Sequence, residues 1–96
     1  MSEPYLSDHI RITILRLLLD APAYSYNDSV LADGVRMRAL KVGRDRVRTE
    51  IAWLAEQGLV TTEQFDSLTS ATLTQRGQDV AEGHASVPGV KRPSAS

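Results

Sequence analysis

The sequence predicts one small, mainly α domain with a small β-hairpin: three core helices, two strands and a short C-terminal helix. Three observations predict it. The chain has 96 residues, 42% of them hydrophobic, which is enough for one core and excludes a second. Apolar residues recur at helical spacing in two stretches, residues 6–20 and 44–57. Two β-type runs, Leu59–Thr62 and Leu68–Leu73, flank a turn signal at Asp66-Ser67. The domain is placed at residues 1–83. Residues 84–96 hold Pro88, Gly89, Pro93 and three serines and read as a flexible tail.

The first helix is expected from Leu6 to Asp20, because Ala21-Pro22 cannot continue it. Leu6, Ile10, Ile14, Leu17 and Leu18 define a core face. A second apolar stripe, Ile12, Leu15 and Leu19, lies on the other side. A surface helix has one stripe, so this one is covered twice. The cover is either the rest of its own domain or a homodimer seam. The second helix begins after Ser25 or Asn27, both good N-caps, and ends near Ala39 or Leu40. Val30, Leu31 and Val35 form its inner face, with Gly34 allowing close approach of a neighbour. The third helix, Arg44 to Gln57, starts after Gly43, buries Val47, Ile51 and Leu54, and stops at Gly58. Thr74 caps the last helix, which runs to about Glu82. Two helices joined by a short Gly-containing turn make a helix-turn-helix candidate.

Charge is informative by segment. The whole chain carries 11 Lys and Arg against 12 Asp and Glu, yet Arg36 to Arg48 holds six bases and one acid. A local basic patch attracts polyanions even in a neutral chain. The competing reading is a solvated helix face. Within a helix-turn-helix, Arg44, Arg46, Arg48 and Thr49 occupy the part of the second helix that meets base edges. Arginine suits bidentate reading of guanine and phosphate clamping. Arg36, Arg38 and Lys41 would support on phosphate. Trp53 sits off the core stripe, either packed at the domain flank or anchoring a protein interface.

Several classes are excluded. There is no cysteine, so disulfides, thiol chemistry and Cys-zinc sites are out. Only His9 and His84 exist, without metal-ligand spacing, so no metal or cofactor is expected. No phosphate loop or nucleophile elbow occurs. Asp8-His9 is poorly placed as a dyad, and Tyr24, Ser25 and Tyr26 read as capping and packing. The expectation is a cytoplasmic, non-enzymatic protein with no membrane segment or secretion signal.

The order of elements is that of a winged helix. The segment Ile51-Ala-Trp-Leu-Ala-Glu-Gln-Gly-Leu-Val60 resembles the recognition-helix end and wing entry of ArsR- and MarR-type regulators. Leu73-Thr-Gln-Arg-Gly77 resembles their exit from the wing. The chain as a whole resembles a small protein family of Mu-like prophages, on Arg44-Asp-Arg-Val-Arg-Thr-Glu50, Trp53–Val60 and the tail Val87-Pro-Gly-Val-Lys-Arg-Pro93. The resemblance implies a winged helix-turn-helix and, by analogy, binding to double-stranded DNA in transcription control or packaging. Winged helices also serve as protein–protein modules. The departure is the hairpin: residues 59–73 contain no base, and Glu63 and Asp66 are acidic. The alternative expectation is therefore an adaptor in a phage assembly complex, without DNA, contacting a phage protein partner.

Overall fold

The computed structural model describes residues 2–93. The long helix α1 (Glu3–Leu19) lies at the centre, because its apolar residues surround it. Ile10, Ile12, Ile14, Leu15 and Leu18 are all buried, Leu19 is half-buried, and α2, α3, α4 and β3 all pack on this helix. The second apolar stripe is thus covered by the chain itself. Ile12 and Leu15, named as a possible dimer seam, are buried within this chain.

A tight turn over Pro22–Tyr24 follows, and then strand β1 (Ser25–Asn27). Asn27 caps α2 (Asp28–Met37), its side chain accepting the Val30 N–H at 2.9 Å. The inner face of α2 is Leu31, Ala32 and Val35, while Val30 is 42% exposed and is corrected to the surface. Gly43 then opens α3 (Arg44–Glu56), which buries Val47, Ile51 and Leu54. The helix stops as its glycine dictates. Gly58 takes φ +74°, the Leu59 N–H returns to the Leu54 carbonyl, and the Gly58 N–H returns to Ala55, each at 3.0 Å.

Strands β2 (Val60–Phe65) and β3 (Leu68–Leu73) form the hairpin about Asp66-Ser67, with Asp66 at φ 53°. The sheet has three strands, not two. β1 pairs antiparallel with β3, giving the order β1-β3-β2 and leaving β2 at an edge. Ser25, Ser70 and Thr72 join their hydroxyls across that added pair. The architecture is therefore a small α+β domain of four helices and a three-stranded antiparallel sheet, rather than a helical domain with a bare hairpin. Along β3 the buried residues alternate as Thr69, Ala71 and Leu73, whereas β2 buries Val60 alone.

Thr74 caps α4 (Gln75–Ala81), accepting the Gly77 N–H at 3.0 Å. The segment after α4, expected as a flexible tail, packs in part. Val87 and Val90 are buried, and the Lys91 N–H donates to the Asp8 carbonyl at 3.2 Å. Residues 94–96 of the expected tail lie outside the described residues.

Candidate nucleic-acid interface

Every residue proposed to meet DNA can now be placed. Arg44, in the first turn of α3, turns back toward the start of α2. Its guanidinium donates to both carboxylate oxygens of Asp28, at 3.2 and 3.4 Å, and to the Ser67 carbonyl at 2.7 Å. Arg48, one helical turn on, approaches the same carboxylate at 3.3 Å. Asp28 is fully buried and also accepts the Thr69 N–H at 3.3 Å. One carboxylate thus ties together α2, α3 and β3. Burial pushes its carboxyl up, but the hydrogen bonds from Arg44 and Thr69, with the Arg44 charge and a Ser29 contact, outweigh that and hold it below the usual carboxylate range.

Arg46 points to the other side of α3. It donates to Glu50 at 2.8 Å and to the Ser7 hydroxyl at 2.8 Å, and pairs with Glu3 at 2.5 Å. The Glu50 hydrogen bond foremost, against burial and aided by Glu3, raises its pKa further, so Arg46 stays charged. Glu50 is itself buried and receives Arg11 at 2.8 Å as well. Arg36 pairs with Asp33 within α2. Thr49 turns its hydroxyl to the Asp45 carbonyl of its own helix, at 3.1 Å. Of the seven residues, only Arg38 and Lys41 are exposed cations without an ion-pair partner among the described residues.

The basic window is therefore not a free patch. An arginine that already holds its own carboxylate brings little net charge to a phosphate, and phosphate neutralisation supplies most non-specific affinity. The exposed side of α3 carries Asp45 and Glu56 beside Arg48, Thr49 and Ala52. A cleft of about 370 Å³ separates this side from the inward face of β2, lined by Arg48, Thr49, Ala52, Thr62, Gln64 and Thr69 among others. Glu63 and Asp66 lie exposed on the hairpin.

Trp53 is not an open anchor. The Arg11 guanidinium sits 3.8 Å from its ring centroid, and Arg11 also donates to the Gly89 carbonyl at 2.9 Å. Gly89 has φ +96°, and a Cβ there would stand 2.8 Å from Trp53 Cζ2 and 3.0 Å from Arg11 Nη1. The side chain missed by sequence reasoning is thus Arg11, which joins Glu50, Trp53 and the C-terminal segment. Gly89→Ala is expected to release residues 87–93 at a cost of about 1–2 kcal/mol. Hydrogen exchange at the Lys91 amide reads this directly. Unchanged protection would show that the segment is held without the Arg11–Trp53 clasp.

No family model matches the chain. It is, however, 48% identical over 93 residues to an uncharacterized protein, gp26, of Escherichia phage Mu, covering 97% of this chain and 96% of that protein. The chain belongs to the phage Mu gp26 family. A second relative, an uncharacterized protein of Haemophilus influenzae, is 42% identical over 67 residues, covering 69% of this chain and 65% of its own length. This is a phage-related family. No helix among the described residues is long and apolar enough to cross a membrane.

Proposed function

We propose that this gp26-family chain is a small winged-helix module that works by contacting another phage protein, and that its third helix does not read DNA. The observation that carries this reading is the ion pairing of Arg44 and Arg48 with Asp28, and of Arg46 with Glu50 and Glu3. In this reading the arginines are structural: they hold the two helices of the helix-turn-helix and the hairpin in place. The winged-helix assignment rests on the α2–turn–α3 order followed by the β2–β3 hairpin. The protein is a binding module and not an enzyme.

The surface left for a partner supports the same reading. β2 is an edge strand whose residues after Val60 are all exposed, and Phe65 at the hairpin tip is 57% exposed. An edge strand offers unpaired backbone groups to an added strand. The recognition-helix reading keeps two unpaired cations, Arg38 and Lys41, from the residues first assigned to it.

Titration of a labelled duplex at low salt separates the readings. Arg48→Ala and Thr49→Ala, alone and together, are expected to leave any duplex association unchanged. A tenfold or greater loss in folded variants would overturn the proposal and restore α3 to the major groove. In parallel, crosslinking in a lysate of phage-infected cells is expected to give a stoichiometric protein partner that survives nuclease treatment.

A further inference from the structure

Four of the six cations without an ion-pair partner among the described residues gather in one place. Arg11, Arg36, Arg44, Arg46 and Arg48 each hold a carboxylate. Of the remaining cations, Arg16, Arg38, Lys91 and Arg92 converge, with His9, on one cleft of about 270 Å³. No carboxylate among the described residues lines it. The cleft lies between α1, the residue that ends α2, and the C-terminal segment. Its cations come from three separate places in the sequence, so the fold gathers them.

The gathering is held by contacts that do not involve these charges. Val87 and Val90 are buried, Arg11 holds the Gly89 carbonyl, and the Lys91 N–H holds the Asp8 carbonyl. These anchors keep Lys91 and Arg92 beside Arg16 and Arg38 against like-charge repulsion. His9 adds an unsatisfied group: its Nδ1 is buried and has no hydrogen-bond partner among the described residues. The cleft falls below the ~300 Å³ at which drug-sized ligand pockets begin, which suits a compact ion and not a bulky metabolite.

We propose that this cleft is a phosphate-binding site. The four cations supply charge-assisted hydrogen bonds to the oxygens of a phosphate group, and Thr13 and His9 complete a polar lining. The group is either inorganic phosphate or the phosphodiester of a nucleic acid.

Proton linkage follows from the same geometry. Burial, and then the charge of Lys91, hold the His9 pKa below its ordinary value. The groups around it are Lys91 and Arg92 from the C-terminal segment, Arg38 after α2, Arg16 and Thr13 on α1, and the Tyr5 ring edge-on at 6.2 Å. A bound dianion offsets that positive charge and favours the protonated form of His9, so binding of the dianion is coupled to proton uptake there.

The test is a titration of the full chain with inorganic phosphate at constant ionic strength, with chloride as the reference anion. Backbone amide and His9 ring resonances are followed by NMR. Saturable shifts at residues 9–16 and 91–92 are expected. Arg38→Gln and Lys91→Gln should each weaken binding about tenfold. Arg76→Gln, an exposed arginine outside the cleft, should leave it unchanged. Phosphate acting no differently from chloride, or binding that survives both cleft substitutions, overturns the proposal. A short duplex forms the second arm. Duplex binding lost with the same substitutions assigns the phosphate to nucleic acid, which supports the site and overturns the protein-partner reading above. Phosphate binding with which the duplex does not compete assigns it to a free anion and leaves that reading standing.

Discussion

Gly77→Ala is expected to destabilise the domain by on the order of 3 kcal/mol, because a methyl group there has nowhere to go. A Cβ at Gly77 would lie 2.1 Å from the Leu59 carbonyl oxygen and 2.6 Å from Leu73 Cδ1. The leucine tip can rotate, but the carbonyl cannot. It accepts the Thr74 N–H at 3.1 Å, while the Thr74 hydroxyl donates to the Gly58 carbonyl at 2.8 Å and accepts the Gly77 N–H. Relief would require pulling α4 away from the start of β2 and undoing that cap. Gly34 makes the comparison. The three atoms nearest its Cβ would all belong to the Leu17 side chain, 2.8 Å at the nearest, and mid-helix alanine is better than glycine by about 1 kcal/mol. Gly34→Ala should therefore stay within about 1 kcal/mol of the parent chain. Urea unfolding of both variants gives the contrast. Equal midpoints would show that α4 is not seated on Leu59.

Asp28→Asn is the second large effect. The substitution keeps the shape and removes the charge that faces Arg44 and Arg48. Breaking a buried ion pair costs about 3–5 kcal/mol, and the lower end applies here because Arg44 and Arg48 are 39% and 43% exposed. A loss of about 3 kcal/mol lowers the melting temperature by about 15 °C in a domain of this size. The pH dependence has a definite sign. The native pKa of Asp28 is depressed, so its contribution is complete above the unfolded value of about 4 and is lost as pH falls through the native value. The parent chain should lose stability toward acid more steeply than Asp28→Asn. Parallel curves below pH 4 would mean that Asp28 holds no charge-dependent contact.

The two glycine-containing motifs that prompted the regulator resemblance prove to be one joint. Gly58-Leu59 ends α3, Thr74 and Gly77 begin α4, and the two meet at the Leu59 carbonyl. The helices were readable because their signals are local: apolar spacing in α1 and α3, caps at Asn27 and Thr74, a stop at Gly58. Strand β1 was not readable. Ser25-Tyr26-Asn27 has no strand pattern of its own and becomes a strand only by pairing with β3. The burial of Val87 and Val90 is hidden for a similar reason, since the groups that hold their segment, Arg11 and the Asp8 carbonyl, lie far back in the chain.

The candidate site divides in the same way. The arginines could be counted in the sequence, but their partners could not. Asp28 is sixteen residues from Arg44, and Glu3 is forty-three from Arg46, so only the fold makes those pairs. The Arg46–Glu50 and Arg36–Asp33 pairs, at helical i, i+4 and i, i+3 spacing, are the visible warnings. The density of charge marked the region correctly as special, while its net field depended on tertiary contacts that leave no periodic trace.

A double-mutant cycle across Asp28 and Arg44 tests most directly whether the third helix spends its arginines on the fold. Asp28→Asn, Arg44→Gln and the double variant are compared by urea unfolding at low and high salt. The account predicts a coupling energy of at least about 1 kcal/mol, only partly screened by salt because the carboxylate is buried. Strictly additive losses would contradict it, and would return Arg44 to the pool of cations open to a polyanion.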